Sequence, residues 1–492
     1  SICDMIYIMK KKRQNYKSIK LNYIYNVSYQ ILTMITPLIT TPYLSRILRA
    51  DGIGLYSFTA SLVSYFIMFA AMGTVNYGNR EISYLQHDKT KRSTVFWDIE
   101  TLSFISSIIC LAAYIFFIFI YHKYVDILLV QLVCIINVAA DITWLFQGME
   151  EFGKVTARNV LFRIINIAFI FIFIRSRNDL LLYIIGVYGI ELLSNISLWF
   201  YLPQYINAPR LNQLHPLKHL KPTFLLFIPT IATTIYTAMD KTMLTQLTGS
   251  TAENGYYDQA TKISRMTLMV VTALGTVMIP RIGNYFSEHK YNEIRELLYK
   301  SFRFVWFIGL PLCFGLIGIS RNFSPWFYGD GYEKVPYLLM ILAFLIPIIG
   351  ISNVIGIQYF LTTKQEKYLT RSVCCGAVCN FILNLILIPH YMSYGAAIAS
   401  ILSELLITIL QMWYARKELS PIKIISLMPK YLVSGIIMLI ILLILDYLMP
   451  IGVLYTFSMI AVGFIVYIIM LWLLHDRLII DIVDKIKTRF NH

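Results

Sequence analysis

Eight ionisable residues stand inside, or at the edges of, long apolar runs: Arg46, Asp141, Glu191, Asp240, Lys241, Lys262, Arg265 and Glu404. A charge at membrane depth costs about 2.5–3.5 kcal/mol on insertion scales and normally faces a cavity or a partner. The cations suit an anionic ligand, ideally a phosphate or diphosphate, because a guanidinium presents a fork of donors to the phosphate oxygens. On that reading Arg265, Lys241, Arg46 and Lys262 are candidate substrate ligands in a cationic cavity. The acids Asp240, Glu191, Glu404 and Asp141 are candidates for ion coupling. Plainer readings stand beside these. Arg46 and Lys262 are close enough to an interface to snorkel. Lys241 has acids nearby with which to pair. Glu191 and Glu404 are placed to hydrogen-bond between helices, as are Asn76, Asn137 and Asn166.

The surroundings of these residues define the class. The 492-residue chain is 58% hydrophobic and only 14% charged, with a mean hydropathy of +0.65. Soluble domains hold about 25% charged residues. An all-α, polytopic membrane protein is expected. A soluble enzyme, a disordered chain and a secreted disulfide scaffold are excluded. The net charge of +15 is dealt out between apolar runs rather than along one stripe, so no nucleic-acid partner is expected. The seven cysteines lie mostly within apolar runs. Cys374, Cys375 and Cys379 cluster without a nearby histidine, so buried thiols are expected and no metal or cofactor.

Other motifs fail on inspection. Gly148-Met149-Glu150-Glu151-Phe152-Gly153-Lys154-Val155 approaches a phosphate-binding loop, but Val155 stands where a hydroxyl should hold magnesium. The sequons at Asn26 and Asn195 fall inside apolar runs, and that at Asn322 precedes Pro325. No nucleophile–base spacing suggests catalysis, so no enzyme and no catalytic residue is expected. Movement of a substrate must then draw on an ion gradient, the membrane potential or the substrate's own gradient.

A bilayer core of about 30 Å needs about 20 apolar residues in a helix. Fourteen runs qualify: 23–47, 53–78, 94–121, 125–147, 159–175, 180–203, 223–247, 259–283, 302–326, 335–361, 370–389, 395–416, 430–449 and 452–474. With the amino terminus inside, only seven of the 42 Lys and Arg fall on the outer side: Arg46, Arg49, Lys123, Arg175, Arg177, Arg321 and Lys334. Lys241, Lys262 and Arg265 lie at outer membrane depth. All the others are cytoplasmic, a strong positive-inside bias that places both termini in the cytoplasm. The residues before Met9 read as preceding a natural start, and the apolar run after the basic segment is too long for a cleaved signal. The segment 285–300 is amphipathic and reads as an interfacial helix.

The halves repeat. Gly54-Leu55-Tyr56 matches Gly255-Tyr256-Tyr257, Arg158 matches Arg371, and Glu191-Leu192-Leu193 matches Glu404-Leu405-Leu406. Six spans per half make the repeats parallel, a transporter layout. The expected organisation is a basic cytoplasmic segment (1–22), an N-lobe (23–203) and a cytoplasmic linker (204–222). A C-lobe (223–416), two further helices (417–474) and a basic cytoplasmic tail (475–492) follow.

The stretch Thr41-Pro42-Tyr43-Leu44-Ser45-Arg46-Ile47-Leu48 with Gly52-Ile53-Gly54-Leu55-Tyr56 resembles the first-span signature of Wzx-type polysaccharide-unit flippases. These belong to the multidrug/oligosaccharidyl-lipid/polysaccharide exporter superfamily. Gly73-Thr74-Val75-Asn76-Tyr77-Gly78-Asn79-Arg80-Glu81, Trp144-Leu145-Phe146-Gln147-Gly148, and Asp240-Lys241 with Gly255-Tyr256-Tyr257 extend the likeness over nearly the whole chain. The resemblance implies two six-helix lobes around a central cavity, plus two carboxy-terminal helices. It implies alternating access and export of undecaprenyl-pyrophosphate-linked oligosaccharide across a bacterial plasma membrane for capsule, exopolysaccharide or O-antigen. Membrane lipid and other membrane proteins of polysaccharide assembly are the further partners. Arg265 and Lys241 are the positions onto which the family's cationic cavity residues carry over. A cation-coupled multidrug exporter, a lipid II flippase and a polysaccharide polymerase are the alternatives.

Overall fold

In a computed structural model the backbone is described for residues 2–209, 212, 214–476 and 479–480. Side chains are described over the same residues except 2–31, 225, 226, 228, 229, 232, 233 and 276. Most of the expected carboxy-terminal tail therefore lies outside the described residues. Helices occupy almost all of the chain, and no strand occurs among the described residues. Apolar runs in lipid have no water to satisfy their amides, so the backbone must satisfy itself within each helix.

The helices are α1 (Ile2–Ala71), α2 (Thr74–Tyr84), α3 (Lys89–Tyr121), α4 (Val125–Val130), α5 (Leu132–Ala140) and α6 (Thr143–Gly148). They continue with α7 (Phe152–Phe173), α8 (Leu180–Trp199), α9 (Leu202–Tyr205), α10 (Leu220–Thr248), α11 (Thr251–Ser287) and α12 (Tyr291–Tyr328). The last are α13 (Val335–Leu342), α14 (Leu345–Asn353), α15 (Glu366–Ala415), α16 (Pro421–Ser426), α17 (Pro429–Leu448) and α18 (Val453–Leu473). Eleven helical stretches among the described residues are long and apolar enough to cross a membrane. Two of these, within α1–α2 and α15, each contain two of the expected spans, and α10 supplies one more. All fourteen runs therefore fall on helix. The kinks fall where the sequence breaks: Arg49 (φ 56°, ψ 177°) in α1 and Met392 (φ 51°, ψ −128°) in α15. Both non-glycine residues hold positive φ, a strained conformation that turns the chain between spans.

The segment 285–300 is not the separate interfacial helix its amphipathicity suggests. It is the end of α11 and the start of α12, joined by a tight turn with His289 at φ 58°. Its charges pair in three ways: Lys300 with Glu296 one turn away at 2.7 Å, Lys290 with Glu288 across the tight turn at 2.6 Å, and Arg295 with the distant Glu418 at 2.9 Å.

The chain divides into two compact units: Ser1–Arg49 with Phe58–Ala238, and Ala50–Ser57 with Met239–His492. In the first, one core gathers Tyr77, Ile82, Phe96, Trp144 and Phe146, and a second gathers Phe58, Val63, Tyr114 and Ile135. α3 starts on Asp88, whose carboxylate accepts the Lys91 N–H at 3.0 Å. The connection from α9 to α10 is tied down. Arg92 donates to the Tyr205 carbonyl at 2.7 Å, and Trp97 to that of Asn207 at 2.9 Å. The buried His219 ring meets the Tyr77 hydroxyl at 2.8 Å and faces the Asp98 carboxylate at 3.5 Å.

In the second unit, α12 packs with α17 and α18 around Leu310, Phe314, Met438 and Met459. A π-helical stretch, Val354–Leu361, follows α14. The segment Ala50–Ser57 lies on α11 at backbone distance. A Cβ on Gly54 would fall 1.7 Å from the Thr251 carbonyl oxygen, and one on Gly255 only 1.9 Å from that of Ala50. The two glycines of the sequence repeat thus allow each other's helix to approach, and Asn254 donates to the Gly54 carbonyl at 3.1 Å.

Gly54→Ala should therefore lower stability by about 1–3 kcal/mol, since backbone cannot yield as a side-chain tip does. Gly283→Ala, which meets nothing within 4 Å, should leave the thermal midpoint unchanged or slightly raised. Melting of both variants in detergent tests the contrast, and equal midpoints would refute it.

Candidate functional site

α11 begins with a regular polar spacing. Asp258, Lys262 and Arg265 recur at intervals of four and three, so they share one face of the helix. Lys241 approaches that face from α10. The Asp258 carboxylate is 2% exposed and receives three groups. Lys241 Nζ lies 2.6 Å from Oδ1, the Ser57 hydroxyl donates to the same oxygen at 2.9 Å, and Lys262 Nζ is 2.6 Å from Oδ2. The two ammonium groups keep partial exposure, with side chains 27% and 40% accessible. Arg265, two turns after Asp258, is exposed and makes no ion pair among the described residues. One carboxylate among three cations leaves this face positive.

Asp240, the neighbour of Lys241, points elsewhere. It is buried and accepts from Tyr257 Oη at 2.6 Å, Ser400 Oγ at 2.7 Å and Asn384 Nδ2 at 2.7 Å. Asn384 also donates to Asn380 Oδ1 at 3.0 Å. Every hydrogen-bond donor to Asp240 is neutral, and no ion pair to it occurs among the described residues. The Asn384 side-chain oxygen beside it has no hydrogen-bond partner. Four helical segments supply this oxygen-rich pocket: α10, α11 and the two arms of α15 on either side of Met392.

A third cluster lies wholly within the first unit. Asp141 interrupts the helix between α5 and α6, and its carboxylate accepts the Thr143 N–H at 2.8 Å. Arg158 and Arg163 come from α7, about 140° apart around the helix and so on opposite flanks of the cavity wall, and Glu191 and Asn195 from one face of α8. Together with Asp141 they line a cavity of about 420 Å³. Arg158 is held by the Ser194 carbonyl, Asn195 Oδ1 and Thr143 Oγ1, each at 3.2 Å. Asn195 also donates to Asn137 at 3.4 Å. On α3, Glu100 is 1% exposed and neither of its carboxylate oxygens has a hydrogen-bond partner among the described residues.

The structure thus brings Lys241 and Lys262 together, sets Arg265 on the same helix face, and joins Asp141 to Glu191. Asp240 stands in its own polar pocket. Arg46 folds back on its own helix, donating to the Pro42 carbonyl at 2.6 Å. Glu404 is half-buried on α15, where its carbonyl accepts from Thr408 at 2.8 Å. Sequence reasoning missed Asp258, although the Asp258–Lys262 spacing of one helical turn was a usable signal. It also missed Asn380, Asn384 and Ser400, which carry no charge to betray them, and the buried Glu100. Among the described residues no cluster of His, Cys, Asp and Glu suits a metal ion.

An all-helical, multi-pass membrane protein with buried ionisable clusters is the class that this geometry defines. The profile of the family described as polysaccharide biosynthesis protein matches residues 19–286, and the chain belongs to that family. The MatE profile matches residues 226–386. A protein from Escherichia coli strain K12 named for O-antigen transport is 25% identical over 416 residues, 82% of this chain and 98% of its own. Agl15 of Haloferax volcanii, named as a flippase of low-salt glycan biosynthesis, is 25% identical over 160 residues, 32% of this chain and 34% of its own. Among solved structures, the lipid II flippase MurJ in an inward closed conformation superposes with a TM-score of 0.72 at 15% identity, covering 93% of this chain and 99% of that one. The multidrug transporter DinF-BH gives 0.59 at 15% identity, over 82% and 96%. These likenesses show a shared fold.

Asp258→Asn should destabilise the protein by roughly 1–3 kcal/mol. That is less than for a fully buried pair, because Lys241 and Lys262 retain water. Lys262→Met in the Asp258→Asn background should cost less than it does alone. A double-mutant cycle on thermal unfolding checks this, and strict additivity would contradict the shared-carboxylate arrangement.

Proposed function

We propose that the chain is a flippase that moves an undecaprenyl-pyrophosphate-linked oligosaccharide from the cytoplasmic to the outer leaflet of a bacterial plasma membrane. It does so by alternating access, for capsule, exopolysaccharide or O-antigen synthesis, with both termini cytoplasmic. The single observation that carries the reading is the positive face made by Lys241, Lys262 and Arg265 around one carboxylate. A diphosphate needs paired donors and positive charge, and Arg265 offers a fork with no competing acid. Asp258 holds the two lysines in place without cancelling them. The polysaccharide family and the names of the relatives support a glycan substrate. We assign 23–203 and 223–416 as the two six-span lobes, 204–222 as the cytoplasmic linker and 417–474 as the two additional spans.

Coupling is assigned to Asp240. A carboxylate held by neutral donors beside an unpartnered amide oxygen offers a seat for a coupling ion, whose departure would change the charge where α10, α11 and the two arms of α15 meet. Multidrug export is the second reading, favoured by the MatE match over 226–386. Cationic drugs call for acidic walls, and the face on α11 has the opposite sign.

Translocation is measured in proteoliposomes carrying labelled undecaprenyl-pyrophosphate oligosaccharide, by its accessibility to an impermeant glycosidase. Arg265→Ala should slow it by about tenfold or more, the loss of one charge-assisted contact. Wild-type rates in that variant would remove Arg265 from the site. Asp240→Asn should abolish stimulation by an imposed proton or sodium gradient. Undiminished stimulation would move coupling away from Asp240. Drug resistance on overexpression without glycan movement would favour the second reading.

A further inference from the structure

The cavity in the first unit differs in kind from the face on α11. The charged residues on its wall balance: Asp141 and Glu191 against Arg158 and Arg163. A phosphate site or a cationic-drug site would carry one sign. Nor are all of these groups committed to the fold. Glu191 and Arg163 are near enough for each to feel the other's charge, yet neither makes a hydrogen bond or closes an ion pair among the described residues. Glu191 is exposed to the cavity, with its acceptor positions open. Asn166, one turn beyond Phe162, likewise makes no hydrogen bond.

What such a wall recognises follows from the shapes of its groups. Carboxylate, guanidinium and carboxamide are planar, and each presents two polar atoms along one edge. That edge matches a pair of adjacent hydroxyls on a saturated ring, each of which both donates and accepts. Phe162 adds an apolar ring face to the same wall, suited to the C–H side of such a ring. The volume of about 420 Å³ lies within the range of about 300–1,000 Å³ typical of small-molecule sites. Arg158 is fixed by three acceptors before any ligand arrives, which is the preorganisation that a binding site requires. Ionisable groups at membrane depth that face a cavity mark a ligand path by default.

We propose that this cavity is a sugar subsite. It takes a neutral, polyhydroxylated ring of the transported oligosaccharide, with Glu191 and Asp141 accepting from ring hydroxyls, Arg163 donating to them and Phe162 lying against the ring. The assignment rests on the flippase reading for the identity of the cargo. Its recognition chemistry is independent of the cationic face.

The test uses the full chain in nanodiscs. Lipid-linked oligosaccharide is extracted from membranes of cells that make the polymer, and mild acid frees the oligosaccharide from its diphosphate. The chain is titrated separately with the free oligosaccharide and with inorganic pyrophosphate. The free oligosaccharide should bind wild type, and Glu191→Gln and Arg163→Gln should each weaken that binding by about tenfold or more. Both variants should bind pyrophosphate as wild type does, whereas Arg265→Ala should lose it. As a readout that tolerates a poorly folding variant, Asn166→Cys is modified with a maleimide and followed by peptide mass spectrometry. The free oligosaccharide should slow modification at that position, and pyrophosphate should not.

A wild-type chain that translocates the extracted lipid yet fails to bind the free oligosaccharide would overturn the subsite. So would equal binding after both substitutions, or protection of position 166 by pyrophosphate. Protection of position 166 by the free sugar in a chain that does not translocate the lipid would retain the subsite and remove the flippase reading. Failure of both translocation and sugar binding would remove both.

Discussion

A single buried carboxylate organises the chemistry of the second unit. Asp258 draws Lys241 from α10, Lys262 from its own helix and the Ser57 hydroxyl from the segment that ends at the unit boundary. Two ammonium groups would not sit side by side at membrane depth without it, because their repulsion and desolvation would add. The close approach of Gly54 and Gly255 is the steric condition for the same arrangement. Any side chain there would lift Ser57 away from Asp258. The carboxylate therefore does two things: it lowers the cost of concentrating positive charge, and it ties that charge to a particular packing of helices.

Three of the acids stand in three contrasting environments. Asp258 is satisfied by cations, Asp240 by neutral donors, and Glu191 by neither. A carboxylate between two ammonium groups is tied to fixed counter-charges. One among hydroxyls and amides has only neutral donors around it. One that faces a polar cavity keeps its acceptor positions open. Environment, rather than residue type, is what distinguishes these three side chains.

The helical spans were plain in the sequence because lipid imposes length and apolarity on every crossing, but the interruptions inside the runs 53–78, 125–147 and 335–361, at Met72–Gly73, Gln131, Asp141 and Ala343–Phe344, were not. The kinks at Arg49 and Met392 fall in the short polar interruptions at 48–52 and 390–394. The interfacial reading of 285–300 failed because a helix that protrudes beyond the membrane acquires the same charge pattern as one lying on it. Counting charges span by span found Lys241, Lys262, Arg265, Asp141 and Glu191, but not their partners. Asp258 hides beside the Gly255-Tyr256-Tyr257 signature, where it reads as part of a helix start. Asn380, Asn384 and Ser400 are neutral, and what brings them to Asp240 is the folding of α15 on itself, which no local pattern encodes. The repeat suggested that Glu191 and Glu404 were equivalents, yet Glu191 lines a polar cavity while Glu404 is half-buried on α15. A duplicated pattern preserves helix positions more faithfully than it preserves what surrounds them.

The chain passes between its two units at the Arg49 kink and, inside helices, at Ser57/Phe58 and Ala238/Met239. Before α10, Arg92 and Trp97 hold the Tyr205 and Asn207 carbonyls, and Tyr77 and Asp98 hold His219, all within the first unit. Beyond the third passage, Asp240 and Lys241 are successive residues of α10, so their side chains leave the helix about 100° apart. That single step of rotation is why one position serves the neutral pocket of Ser400 and Asn384 while the next serves Asp258. Two kinds of chemistry are thereby kept apart by the pitch of one helix.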